Sequence, residues 1–159
     1  MNTKQKIVDR NTALEIINEW KSQDNKVVFT NGCFDILHLG HVDYLEKARK
    51  LGDKLILGLN TDASVSRIKG PSRPIVNETS RSRVIASLEF VDLVVLFDEE
   101  TPLELIEKLI PDVLVKGNDY LAENIVGANV VIKNGGKVET VALVEGYSTT
   151  NIVNKIKAF

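Results

Sequence analysis

Two histidines, His38 and His41, are the only imidazoles in the chain, and both fall in the stretch TNGCFDILHLGHVDYLEKA, residues 30–48. They lie between a run that reads as a strand and one that reads as a helix. Such a pair can ligate a metal, move protons or hydrogen-bond an anion. Asp35 is a further donor within reach, but no third nitrogen or sulfur partner is evident, which argues against zinc. Anion binding suits the spacing better. His41 begins the helix, His38 stands just before it, and Gly40 leaves room between them. Both imidazoles then face a cleft where helix-start amides already favour negative charge. A pentacoordinate phosphorus, with charge spread over its non-bridging oxygens, gains most from such positioned donors.

The elements that must hold these residues alternate along the chain. Buried-strand runs occur at 26–31, 54–60, 92–97, 112–117 and 137–143, and helical periodicity at 13–20, 41–51, 82–90, 101–111, 123–136 and 148–159. Thr12 with Glu15 has capping-box spacing, and Thr101 followed by Pro102 reads as a helix start. The polar stretch RIKGPSRPIVNETS, 67–80, reads as a long connection. Its length, glycine and prolines predict a loop that is mobile alone and orders on ligand binding. Apolar strands alternating with amphipathic helices predict one α/β, Rossmann-like, doubly wound domain around a five-stranded parallel sheet. Residues 1–25 are expected as an N-terminal helical extension and 26–159 as the catalytic domain.

In such a sheet the ligand crevice lies at the carboxyl ends of the strands. Those ends carry Asn31-Gly32-Cys33-Phe34-Asp35, then Asn60-Thr61-Asp62, then Lys116-Gly117-Asn118-Asp119-Tyr120, then Gly146-Tyr147-Ser148-Thr149-Thr150 ahead of the last helix. Small, polar and cationic residues gathered at one edge suit a phosphorylated ligand. Each also has a plainer reading: a turn glycine, a solvated lysine, or Ser148 as an ordinary helix cap. Neither a GxGxxG dinucleotide fingerprint nor a GxxxxGK[ST] phosphate loop is present.

With 43% hydrophobic residues among 159, 26% charged residues and a formal net charge of −2, the chain has material for a full core and no basic excess. That composition speaks against a nucleic-acid or membrane-surface binder. The single cysteine, Cys33, excludes an intrachain disulfide framework, and no base partner for thiol chemistry is suggested. A polar N-terminus without a long apolar run predicts a cytoplasmic protein.

The segment GCFDILHLGH, 32–41, resembles the signature of the HxGH nucleotidyltransferase superfamily. LNTDASVSRIKGPSRP, LEFVDLVVLFDEETP, PDVLVKGNDY, NGGKVE and GYSTTNIV extend the likeness over roughly residues 26–157. Together they resemble the adenylyltransferase half of bifunctional ADP-heptose synthases. The resemblance implies transfer of AMP from ATP, with Mg²⁺, to D-glycero-β-D-manno-heptose 1-phosphate. It implies that His38 and His41 stabilise the α-phosphate and the departing pyrophosphate, and that Lys69 and, more weakly, Arg73 reach substrate phosphate. Gly32, Phe34 and Asp35 would shape the nucleotide pocket with backbone amides near the phosphates, together with Cys33 and Gly40 of the same motif. Lys116, Gly117 and Asp119 would border nucleotide or sugar, and Ser148, Thr149 and Thr150 would offer hydroxyls and amides. Arg81 aligns with a family arginine that is either a ligand or a helix-start residue. No protein ligand to the metal is implied with certainty.

Glycerol-3-phosphate cytidylyltransferases carry Arg-Thr-Glu-Gly before the Ser-Thr-Thr segment, whereas this chain has Leu143-Val144-Glu145-Gly146. The missing arginine weakens a cytidylyltransferase alternative. A nucleotide-binding module without turnover is the alternative of another class, and the intact histidine pair argues against it. No kinase domain precedes residue 26, so a separate sugar kinase is expected to supply the substrate. Relatives of this kind suggest a homodimer.

Overall fold

The structure is a computed structural model that describes residues 2–118 and 125–159. After a 3-10 turn at Thr3–Lys6, the elements are β1 (Ile7–Val8), α1 (Arg10–Ser22), β2 (Val27–Gly32), α2 (Leu39–Arg49), β3 (Lys54–Asn60), α3 (Asp62–Lys69) and α4 (Glu78–Ala86). There follow β4 (Leu93–Phe97), α5 (Leu103–Leu109), β5 (Val113–Gly117), α6 (Ala128–Lys133), β6 (Lys137–Val141) and α7 (Thr149–Lys157). The sheet order is β1-β4-β3-β2-β5-β6, and every pairing is parallel.

The α/β doubly wound class holds, but the sheet has six strands, not five. The sixth is β1, whose Ile7 and Val8 pair with Val94 and Val95. Two residues are too few to show an alternation in sequence. The segment expected as a helical extension therefore supplies an edge strand, and Ala13 and Ile17 of α1 are buried in the core.

Central strands are buried on both faces, which is why they read as continuous apolar runs. Val27 and Phe29 of β2 pack with Ile56 of β3 and residues of α1, α5 and α6 on one face. Val28, Leu55 and Leu57 pack with Tyr44 and Leu45 of α2 and Ile85 of α4 on the other. The side chains alternate along each strand, as a pleated backbone requires.

Several helix bounds differ from expectation. Asp9, not Thr12, caps α1 by accepting the Asn11 and Thr12 amides. Thr101 lies outside α5, which follows Pro102 and ends at left-handed Ile110 (φ 44°). The expected helix at 123–136 is described only as Ala128–Lys133. Most consequential is 67–80: its first residues finish α3, its last begin α4, and the connection between them is 70–77. Thr61 and Asn77 cap these two helices with their side chains. α3 was not legible in sequence, because it is short and mostly polar; α4 overlaps the helical run expected at 82–90 but begins four residues earlier and ends at Ala86.

Strand order reverses between β2 and β5. The chain steps outward from β2 to β3 and β4, then returns to the other side of β2 as β5. The β2–β5 ladder comprises Val28–Val113 and Phe29–Leu114. Beyond it the Val115 carbonyl accepts from Thr30 Oγ1 at 3.0 Å and from Tyr44 Oη at 3.2 Å. Side chains thus satisfy a backbone group that the ladder leaves, and the two strands part where the crevice of such a sheet forms.

Candidate functional site

A two-lobed cleft opens at this reversal. One lobe, about 310 Å³, is lined by His38, Gly40, Gly117, Leu143 and Tyr147. The other, about 490 Å³, is lined by Asp35, Asn60, Lys69, Arg73, Glu100 and Thr150. Gly32, Cys33, Phe34, His41, Lys116, Ser148 and Thr149 border both.

Helix α2 starts at the floor of the cleft. His38 is its N-cap but makes no side-chain cap bond, so the first-turn amides keep their attraction for anions. One turn brings His41 back over His38, and the rings stack with centroids 3.7 Å apart and planes 20° apart. Phe34 flanks His41 at 5.0 Å. Gly40 gives this stack its room, since a Cβ there would lie 3.2 Å from the His38 ring and 3.2 Å from Tyr147 Cβ.

Burial, followed by the adjacent His38, pushes His41 from about 6.5 down to about 4; the Ile36 backbone and Asp35 oppose the shift. Burial also lowers His38. Both rings are therefore neutral at pH 7. The Nδ1 atoms of both are buried without a hydrogen-bond partner among the described residues. A neutral imidazole has one N–H to donate, and two donors on one cleft wall suit phosphate oxygens. Burial pushes the Cys33 thiol up, against the opposing charges of Lys69, Arg81 and Arg73. It is thus a protonated wall residue rather than a nucleophile.

Asp35 borders the second lobe, yet its carboxylate is tied to the connection after α3. Its carboxylate, almost wholly buried, accepts from Arg73 Nε at 2.6 Å, the Ile75 amide at 2.8 Å and the Val76 amide at 2.8 Å. Burial alone would raise its pKa, but the Ile75 and Val76 amides and Arg73 together hold it below the ordinary carboxylate range. The connection expected to be mobile is docked on the signature loop by these bonds. Ser66 Oγ adds a bond to the Arg73 carbonyl at 2.5 Å.

Arg81 lines no part of the cleft. Its side chain is fully buried and donates to the Val76 carbonyl at 2.9 Å, the Cys33 carbonyl at 2.6 Å and Asp62 Oδ1 at 2.7 Å. Of the two readings of Arg81, ligand or helix-start residue, the structure places it outside the cleft as a buried clamp, with three of its five N–H groups held by protein acceptors. Asp119 lies outside the described residues. Ser148 caps α7 by accepting the Asn151 amide at 3.0 Å while also facing the cleft. Lys116 Nζ donates to Asn31 Oδ1.

The cleft thus gathers His38, His41, Gly32, Cys33, Phe34, Gly40, Lys116, Gly117, Ser148 and Thr149 with Lys69, Arg73, Asp35 and Thr150. Sequence reasoning placed Asn31 and Tyr147 at the strand ends without giving either a role, and it passed over Glu100, which had no signal because long-range packing brings it in. Among the described residues no group of three His, Cys, Asp or Glu side chains is arranged to hold a metal ion. No helix among them is long and apolar enough to cross a membrane.

Comparison with known proteins extends the picture. The chain is 59% identical over 153 residues to bifunctional protein HldE of Magnetococcus marinus, covering 96% of this chain and 31% of that protein. It is 56% identical over 153 residues to bifunctional protein HldE of Caulobacter vibrioides, covering 96% of this chain and 32% of that one. The chain thus spans about a third of the length of these curated relatives. The crystal structure of a lipopolysaccharide core biosynthesis protein from Thermoplasma volcanium matches 78% of this chain and 99% of its own, at 34% identity and a TM-score of 0.62. Pantoate-beta-alanine ligase from Francisella tularensis, at 16% identity, a TM-score of 0.60, and coverage of 96% of this chain and 78% of its own, shares the fold. A family model described as cytidylyltransferase-like matches residues 29–155, from within β2 to the last turn of α7 and so across both lobes of the cleft: the chain belongs to the cytidylyltransferase-like family.

Proposed function

We propose that the chain transfers AMP from ATP to D-glycero-β-D-manno-heptose 1-phosphate, releasing pyrophosphate and forming ADP-heptose. The observation that carries this reading is the stacked, neutral His38–His41 pair at the uncapped start of α2. It stands between a lobe of about 310 Å³ that suits a nucleoside and a lobe holding Lys69 and Arg73 that suits a second phosphate. An anomeric phosphate oxygen attacks the α-phosphorus, the bond from that phosphorus to the β-phosphate oxygen breaks, and pyrophosphate departs. The attacking phosphate is already ionised at neutral pH, so no general base is needed. The imidazole N–H groups and the α2 amides take the charge that grows on the non-bridging oxygens.

Magnesium would arrive on the ATP phosphates and offset part of their charge. The described residues form no cage for it, and Asp35 is committed to Arg73 and two amides. The resemblance to ADP-heptose synthases also supports a sugar kinase acting upstream, a homodimer, a cytoplasmic setting and a product used in lipopolysaccharide core or surface glycan synthesis.

A cytidylyltransferase acting on glycerol 3-phosphate or another polyol phosphate is the second reading, favoured by the description of the matching family. Leu143, an apolar wall residue of the first lobe, stands where those enzymes carry arginine and weighs against it. The complete His38–His41 pair and Lys69 weigh against a nucleotide-binding module without turnover.

Pyrophosphate release with Mg²⁺ decides among these. ATP and CTP are each paired with D-glycero-β-D-manno-heptose 1-phosphate and with glycerol 3-phosphate. Release from ATP with the heptose phosphate alone is the expected result. Release from CTP with glycerol phosphate moves the assignment to the second reading. Silence in every mixture from folded protein leaves the binding module.

A further inference from the structure

Arg81 is among the largest fully buried side chains of the described residues. It takes no part in lining the cleft, yet its three bonds join three distant segments: the loop after β2, the first turn of α3 and the connection before α4. The bond to the Cys33 carbonyl is the short one, at 2.6 Å. The Cys33–Phe34 peptide is trans, so its carbonyl and N–H point in opposite directions. With the carbonyl drawn away from the cleft to buried Arg81, the Phe34 N–H faces the side that Cys33 and Phe34 line.

Two further observations fit. Phe34 sits at φ 44°, a left-handed conformation that a non-glycine residue holds only where its surroundings impose it. The Phe34 amide has no acceptor among the described residues. An uncommitted backbone N–H beside a left-handed residue is the element from which anion-binding nests are made.

We propose that Arg81 is a positioning residue: by holding the Cys33 carbonyl it turns the Phe34 amide into the cleft as a donor to a phosphate oxygen of the nucleoside triphosphate. Asp62 anchors the far end of the guanidinium, and the Val76 carbonyl fixes its plane. The inference rests on the proposed reaction for its kinetic consequence, and on the geometry alone for the binding one.

The test uses the full chain labelled with ¹⁵N, titrated with Mg²⁺–ATP and separately with inorganic pyrophosphate, alongside Arg81→Lys and Asp62→Asn. In the unmodified protein the Phe34 amide proton is expected to move downfield on binding. In Arg81→Lys, confirmed as folded by its melting curve, that shift is lost. There kcat for pyrophosphate release falls by about 10²-fold, the scale of one oxyanion donor, while KM for ATP moves by less than about threefold. Asp62→Asn, which removes the ion pair but keeps the bond to Cys33, retains the Phe34 shift and kcat within about threefold even where its melting temperature drops as far.

A Phe34 amide that ignores both anions in the unmodified protein overturns the proposal, whatever the turnover. So does equal loss of kcat in the two variants, which is what a purely structural brace gives. A Phe34 shift that depends on Arg81 in a protein that turns over no sugar phosphate supports the positioning role and sinks the adenylyl-transfer reading instead. Should Arg81→Lys not fold, Arg81→Gln takes its place: loss of the Phe34 shift there supports the role, and a shift retained there overturns it.

Discussion

The His38 and His41 rings lie face to face, 3.7 Å between centroids and 20° between planes. Two imidazoles so placed resist joint protonation, because each positive charge raises the cost of the other. Burial adds to this, and His41 is held near pKa 4. The pair is therefore a neutral donor surface, and its consequences can be measured.

Removing either ring should cost turnover. His38→Ala and His41→Ala are each expected to lower kcat for pyrophosphate release by roughly 10²–10³-fold, the usual scale for one lost oxyanion donor. Near-normal turnover in both folded variants would sink the mechanism.

The same pair sets a pH dependence of stability. The folded pKa of His41 is depressed, so between pH 6.5 and about 4 the unfolded chain binds a proton that the folded chain declines. Stability is then full above pH 6.5 and falls as pH drops through this window. The loss should be roughly 2 kcal/mol between pH 7 and 4.5. Urea unfolding at the two pH values checks it, and His41→Gln should flatten the difference.

Gly40 separates positioning from stability. A Cβ at this position meets the His38 ring and Tyr147 Cβ at 3.2 Å, so Gly40→Ala must push the ring aside by a few tenths of an ångström. Alanine also improves a helix by up to about 1 kcal/mol. Unchanged or higher melting temperature with about tenfold lower kcat is expected, since misplacing a reacting group is costly. Full activity would mean that the stack tolerates displacement.

Asp35 acts as a latch on residues 70–77. Asp35→Ala removes a charged acceptor from Arg73 and two amides, at about 1–3 kcal/mol. Limited trypsin digestion should then cut after Lys69 about tenfold faster than in the unmodified protein. An equal cutting rate would show that the segment is already open.

Leu143, about half exposed, forms part of the first lobe's wall. Introducing the guanidinium that the cytidylyl enzymes carry, by Leu143→Arg, should shift the CTP-to-ATP ratio of kcat/KM toward CTP by about tenfold, the scale of one altered pocket contact. An unmoved ratio would place base discrimination elsewhere in the cleft.

The sequence by itself determined the layers and the floor of the cleft. β2, β3, β4 and β5 are continuous apolar runs because both faces are buried, and that pattern is local. The His38-x-Gly40-His41 spacing is local too: one helical turn brings the rings together wherever α2 is placed. Only the tertiary structure decided what the charged side chains do. Asp35 and Arg73 are separated by 38 residues and Arg81 and Cys33 by 48, and no periodicity encodes such partners. A buried ion must find its counter-group or a carbonyl, and which one depends on strand order. Here that order set α4 against the signature loop. It tied the Asp35 carboxylate to the 70–77 connection at the wall of the second lobe, and it set Arg81 beneath the cleft as a clamp.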